Sequence, residues 1–123
     1  MKKFYYCDLC KRIFETNGHG GPLTCCGQPM RELTANTTDA ATEKHVPAVK
    51  RTGNTLEVVV GSVEHPMTPE HYITMIVVEQ GEKTWRVDLT SSDKPAATFE
   101  IGDGPATVYE FCNLHGLWKA DVE

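Results

Sequence analysis

Beyond residue 54 the chain is built from short apolar runs broken by polar and turn-forming residues. TLEVVVGSV (55–63), YITMIVVEQ (72–80), KTWRVDLT (83–90), ATFEIG (97–102) and ATVYEFC (106–112) are rich in Val, Ile, Thr and aromatics. Gly, Pro, Asp or Ser separates each run from the next, which is the punctuation of strands. Gln80-Gly81-Glu82-Lys83 fits a hairpin turn between the second run and the third. The sequence carries no convincing 3.6-residue apolar period over ten or more residues, and no repeat. Five or more strands in about 80 residues predict an antiparallel sandwich, with immunoglobulin-like packing as one option.

Residues 1–35 differ in kind. They hold four of the five cysteines, an Asn17-Gly18 turn and the flexible run Gly18-His19-Gly20-Gly21-Pro22, in which His19 reads as a surface loop residue. About 35 residues bury too little apolar surface to fold unaided, so a staple is needed and the cysteines supply it. Between the two textures, NTTDAATEK (36–44) is small, polar and aperiodic, and reads as a linker.

Composition narrows the setting. At 40% hydrophobic and 24% charged, this is the make-up of a folded soluble protein. Apolar runs such as Ile73 to Val78 are too short to cross a bilayer. The start MKKFYYCDLCKR lacks the apolar core and cleavage site of a secretory signal. A cytoplasmic protein without a membrane partner is therefore expected, and the Asn36-Thr37-Thr38 triplet is incidental. A net charge of −5 argues against nucleic acid, which needs a basic face. In a reducing compartment an odd set of five cysteines points to ligands or catalysts rather than disulfides.

Two constellations follow. Cys7-Asp8-Leu9-Cys10 and the adjacent pair Cys25-Cys26, followed by Gly27, can wrap one ion tetrahedrally. Zinc and iron both accept four thiolates. Adjacent ligands cannot both adopt relaxed knuckle geometry, so strain is expected at the pair. Downstream, His45, His65, His71, Cys112 and His115 each fall near a strand boundary. Strand ends gather at one edge of a sandwich, where four imidazoles and a thiolate can converge. Taken singly, His65 reads as an exposed loop residue and Cys112 as a small buried hydrophobe. Cys112 with His115 also has the composition of a nucleophile–base pair, but no oxyanion-hole motif accompanies it. Zinc is satisfied by four ligands, and calcium and magnesium want oxygen. A mixed imidazole and thiolate set above four suits iron, and five ligands leave one octahedral position vacant. A thiolate opposite that vacancy pushes electron density through the metal.

YxCDLC…TCCGQPM resembles desulforedoxin, a small rubredoxin-like iron protein whose second cysteines are adjacent. ATEKHVPAV, HPM…HYI and CNLHGLW extend the likeness over essentially the whole chain to desulfoferrodoxin, the two-iron form of superoxide reductase. The resemblance implies a mostly β protein. A metal-stapled rubredoxin/desulforedoxin-like domain would span 1–36, and an immunoglobulin-like antiparallel β-sandwich 37–123. It further implies two mononuclear irons, one held by Cys7, Cys10, Cys25 and Cys26. The other would have His45, His65, His71 and His115 as equatorial ligands and Cys112 as the axial one. In this family Glu43 would fill the sixth position in the oxidised resting state, and Lys44 would attract superoxide and order water. Superoxide is then the substrate, reduced to hydrogen peroxide in a detoxifying defence against oxidative stress. A rubredoxin-type electron donor and a homodimer are implied as well. Ala48 interrupts the usual EKHVPV run, a change expected to touch packing only. Taken alone, Glu43 and Lys44 are an ordinary solvated charge pair. Three rival readings remain at this point: an electron carrier with both metals saturated, a structural zinc protein, and a superoxide dismutase.

Overall fold

The structure, a computed structural model, describes residues 2–18 and 20–123, so the loop assignment of His19 lies outside the described residues. The chain divides into two compact units, Met1–Thr34 and Ala35–Glu123. No helix among the described residues is long and apolar enough to cross a membrane.

In the first unit, strands β1 (Lys3–Tyr6), β2 (Ile13–Thr16) and β5 (Arg31–Leu33) form an antiparallel sheet in the order β2-β1-β5. A two-residue ladder joins β3 (Thr24–Cys25) to β4 (Gln28–Pro29). Among the described residues of this unit, Phe4, Tyr6 and Ile13 are the buried apolar residues that accompany Cys7. That is a very small core, as the length of the segment requires.

The second unit is an antiparallel β-sandwich of three strands on four. Strands β6 (Pro47–Thr52), β7 (Thr55–Val60) and β10 (Ala96–Glu100) lie in the order β10-β7-β6. The facing sheet, ordered β12-β11-β8-β9, contains β8 (Ile73–Gln80), β9 (Lys83–Asp88), β11 (Ala106–Cys112) and β12 (Gly116–Val122). Leu56, Val58 and Val60 on β7 alternate inward at a period of two. They pack with Ile76, Val78, Phe99 and Val108 into one core. The expected 80–83 turn is present: Gln80 pairs with Lys83, and Gly81 takes φ 58°, a left-handed conformation that glycine adopts freely.

Two strands of the sandwich were not foreseen, β6 and β12, and both are edge strands. Solvent on one side lets them carry Lys50 and Arg51, or Lys119 and Asp121, which hides the apolar signal. The stretch read as a linker is also more ordered than expected. Asn36 accepts from Lys119 N–H at 2.9 Å and donates to the Lys119 carbonyl at 3.3 Å. A single-turn helix, α1 (Thr42–His45), follows, and Val46 N–H closes it on the Thr42 carbonyl at 3.0 Å. Four residues are too few to leave a helical period in the sequence.

Candidate metal centres

In the first unit β1 runs into a turn closed by Lys11 N–H to the Cys7 carbonyl and by Cys7 N–H to the Arg12 carbonyl, each 2.9 Å. This turn presents Cys7 and Cys10, while the β3–β4 connection presents Cys25 and Cys26. The four sulfurs lie within 4.8 Å of one another. Cys10 Sγ is 3.6 Å from Cys25 Sγ, and Cys25 Sγ is 3.9 Å from Cys26 Sγ. A disulfide needs about 2.05 Å. A tetrahedron with metal–sulfur bonds of about 2.3 Å has edges of about 3.8 Å, so the spacing is that of thiolates around one ion. Cys26 adopts φ 54°, a left-handed conformation unusual for a side chain with a Cβ, and this is the strain expected of adjacent ligands. The Cys10 backbone N–H, donating to Cys7 Sγ at 3.5 Å, is the chief cause that lowers the Cys7 thiol to about 6. Hydrogen bonding to the Cys10 thiol chiefly raises Cys25 to about 12. A cation among the sulfurs is what would let all four ionise.

The second constellation collects at one end of the sandwich. His45 closes α1, His65 follows β7, His71 precedes β8, Cys112 ends β11 and His115 sits in the turn to β12. Their ligand atoms also lie within 4.8 Å of one another. The imidazoles form a closed ring. Centroid distances run 4.8 Å from His45 to His65, 4.6 Å to His71, 5.0 Å to His115 and 4.8 Å back to His45. Each ring stands at 73° to 85° to the next, so the four surround a common centre rather than stack. Cys112 Sγ approaches His65 Nε2 at 3.4 Å and His115 Nδ1 at 3.8 Å.

Hydrogen bonds fix which nitrogens face inward. His45 Nδ1–H donates to the Ala41 carbonyl, and His65 Nδ1–H to the Pro66 carbonyl, each at 2.7 Å. Both Nε2 atoms therefore carry lone pairs, yet they lie 3.2 Å apart. His45 Nε2 also meets His115 Nδ1 at 3.1 Å, and His71 Nε2 is buried without a hydrogen-bond partner. Converging lone pairs and an orphaned buried nitrogen are what a cation resolves, and the carbonyl bonds behind His45 and His65 are the usual outer support of metal-bound imidazole. Burial lowers the pKa of His45, His65 and His71, that of His65 to about 4, so these imidazoles stay neutral and available as ligands. Five nitrogen and sulfur donors exceed what zinc takes and suit iron.

Cys112 is wholly buried. Desolvation pushes its thiol up to about 11, while backbone N–H groups of Leu114 and His115 hydrogen-bond the sulfur and pull the other way. A β-bulge between Phe111 and Cys112 marks the end of the β11–β8 ladder, a common device where a side chain must be re-aimed. Glu43 and Lys44, on the exposed side of α1, stand outside the five-residue group. Lys44 and His65 line an open cleft of about 440 Å³.

Two supporting residues and one buried acid escaped the sequence reading. Asn113 ties the two halves of the site together: its Oδ1 accepts from Tyr72 N–H at 3.0 Å and its Nδ2 donates to the Glu70 carbonyl at 3.0 Å. Trp118 stacks on His45 at 5.0 Å and donates from Nε1 to the His115 carbonyl at 3.0 Å. Glu110 is fully buried with both carboxylate oxygens unpartnered, and desolvation lifts its pKa well above the usual range. The parity of Val108, Glu110 and Cys112 on one strand was the available signal, since all three share a face.

The sequence profile of the desulfoferrodoxin family matches residues 37–121. Desulfoferrodoxin from Syntrophotalea carbinolica is 48% identical over 118 residues, covering 95% of this chain and 94% of that protein. The crystal structure of the superoxide reductase from Treponema pallidum superposes with a TM-score of 0.81 at 34% identity, covering 98% of each chain. The one-iron superoxide reductase from Giardia intestinalis matches 66% of this chain and 98% of its own, with a TM-score of 0.59 at 32% identity. By profile, by full-length relatives and by donor sets of four sulfurs and of four imidazoles with one sulfur, the chain belongs to the desulfoferrodoxin family.

Proposed function

We propose that this protein is a superoxide reductase, and the observation that carries the reading is the closed ring of four imidazoles backed by one buried sulfur. His45, His65, His71, His115 and Cys112 would hold an iron that, when bound, would supply the one electron by which superoxide and two protons become hydrogen peroxide. The chain's own residues set the conditions for that transfer. His45 and His65 are locked in one tautomer by their carbonyl partners, which keeps the inward nitrogens aimed. Cys112 is shielded from water by the core, and the Leu114 and His115 amides moderate how strongly its thiolate donates. His71 and His115 are partly exposed, so a small anion reaches the ring from the solvent side rather than through the sandwich.

Lys44 and Glu43 act at that rim. Lys44 draws the anion in and orders the water that delivers protons. The Glu43 side chain would cover the open side of the ring when an iron held there is oxidised, and would swing away when that iron is reduced. Their adjacency on the exposed turn of α1, directly before the ligand His45, supports both roles. The net charge of −5 does not forbid an anionic substrate, because charge beyond about 8 Å is screened at physiological salt. The nearby lysine and the formal +1 of the loaded ring dominate the local field and focus the anion there.

We assign residues 1–36 as the desulforedoxin-like domain, whose four sulfurs would hold an iron able to store an electron, and 37–123 as the reductase domain. A rubredoxin-type donor, a homodimer and a cytoplasmic setting complete the reading. Azide or cyanide added to the iron-loaded protein is expected to shift the absorption of the second centre alone. A spectrum unmoved by either anion would instead favour an electron carrier with both metals saturated.

A further inference from the structure

We propose that the turn Gly61-Ser62-Val63 is the seat that fixes the Glu43–Lys44 peptide at the rim of the imidazole ring, with Gly61 as the positioning residue. A Cβ built on Gly61 would lie 2.7 Å from the Glu43 carbonyl oxygen, 2.9 Å from that of Val46 and 3.0 Å from the Lys44 carbonyl carbon. All three are backbone atoms, so no side chain can swing away to make room. Gly61 is not in the left-handed region, so it is space and not torsion that requires glycine here. Once seated, the Glu43 carbonyl accepts from Val63 N–H at 2.9 Å and from Ser62 Oγ at 3.2 Å. The same turn continues into a ligand, since His65 N–H donates to the Val60 carbonyl at 2.8 Å. The turn thus holds the backbone of the residue pair that precedes His45, while its exit toward His65 is anchored separately on the Val60 carbonyl.

The inference rests on the role assigned to Lys44, and the experiment separates the two. Gly61→Ala, Ser62→Ala, Lys44→Ala and the Gly61→Ala/Lys44→Ala pair are compared in the iron-loaded protein. Two quantities are read: the second-order rate of oxidation by superoxide across ionic strength, and the exchange of the Val63 amide. Lys44→Ala is expected to lower the rate about tenfold and flatten its salt dependence, with Val63 exchange unchanged. Gly61→Ala should bring the same loss and flattening, leave the thiolate-to-iron absorption in place and speed Val63 exchange at least about tenfold. The double variant should be no slower than Gly61→Ala alone, the non-additivity expected of two changes acting through one contact. Ser62→Ala, which removes one donor without adding bulk, should speed Val63 exchange more modestly and stands in should Gly61→Ala not fold. Unchanged Val63 exchange in both seat variants overturns the seat. A full rate in Gly61→Ala beside a slow Lys44→Ala overturns it as well. A full rate in Lys44→Ala sinks the role of that lysine, and the seat is then decided by Val63 exchange alone.

Discussion

Burial by itself would keep Cys112 protonated, because desolvation penalises a thiolate far from water. The sulfur becomes a donor only when a cation replaces its proton, with the Leu114 and His115 amides already in place to share the charge. Cys112→Ser is therefore expected to remove the thiolate-to-iron absorption and to cut reactivity at least about 100-fold, more than loss of a ligand's outer support costs. Retention of both would make the cysteine structural. The imidazoles add a pH dependence to the metal-free protein. His45, His65 and His71 titrate below their ordinary 6.5 in the folded state, so the unfolded chain takes up protons first as the pH falls. Their contribution to stability is full above about 6.5 and is lost toward the value near 4 of His65. Glu110, raised instead of lowered, works in the opposite sense and offsets part of the loss. Urea unfolding of chelator-treated protein at pH 7.5, 6 and 5 should show a midpoint that falls with pH. A series that stays flat also in Glu110→Gln protein, where that offset is absent, would contradict the burial of these rings.

At the level of elements, the site is assembled by turns, and the strands between them keep the turns apart. Asn113 is the tie, joining the turn that carries Cys112 and His115 to the segment of His71 through two side-chain hydrogen bonds. Asn113→Ala should cost about 1–3 kcal/mol, measurable as a shift in the denaturant midpoint. An unshifted midpoint would mean the two segments hold their places without it. How much of this was legible follows from the same division. Runs with strong apolar content, such as ITMIVVEQ and ATVYEFC, announce their strands, and the four N-terminal cysteines could be grouped by spacing, whereas the four histidines and Cys112 were joined into one set only through the family resemblance. Edge strands with Lys, Arg and Asp, a four-residue helix, and a core-facing Glu110 leave no comparable trace. Nor does the room Gly61 provides, since it depends on a backbone 15 or more residues away in sequence.

On the scale of the molecule, the two centres make different demands on their units. The first unit has few buried apolar residues and depends on its ion, whereas the sandwich has a continuous aliphatic core. Stripping both metals should unfold the first unit while the amides of β7, β8 and β11 stay protected from exchange; loss of both together would show the sandwich to be equally metal-dependent. Cys10→Ser should empty the first centre and leave the second-order rate with superoxide within about twofold, as expected of independent sites. A collapse of that rate with the second iron still bound would mean the two centres act as one. The central claim is tested most directly by mixing the fully reduced protein with superoxide under anaerobic conditions and counting products. The account predicts one equivalent of the second iron oxidised for each superoxide consumed, with one hydrogen peroxide formed and no dioxygen. Release of dioxygen for half the superoxide, without net oxidation of the iron, would make the protein a dismutase and contradict it.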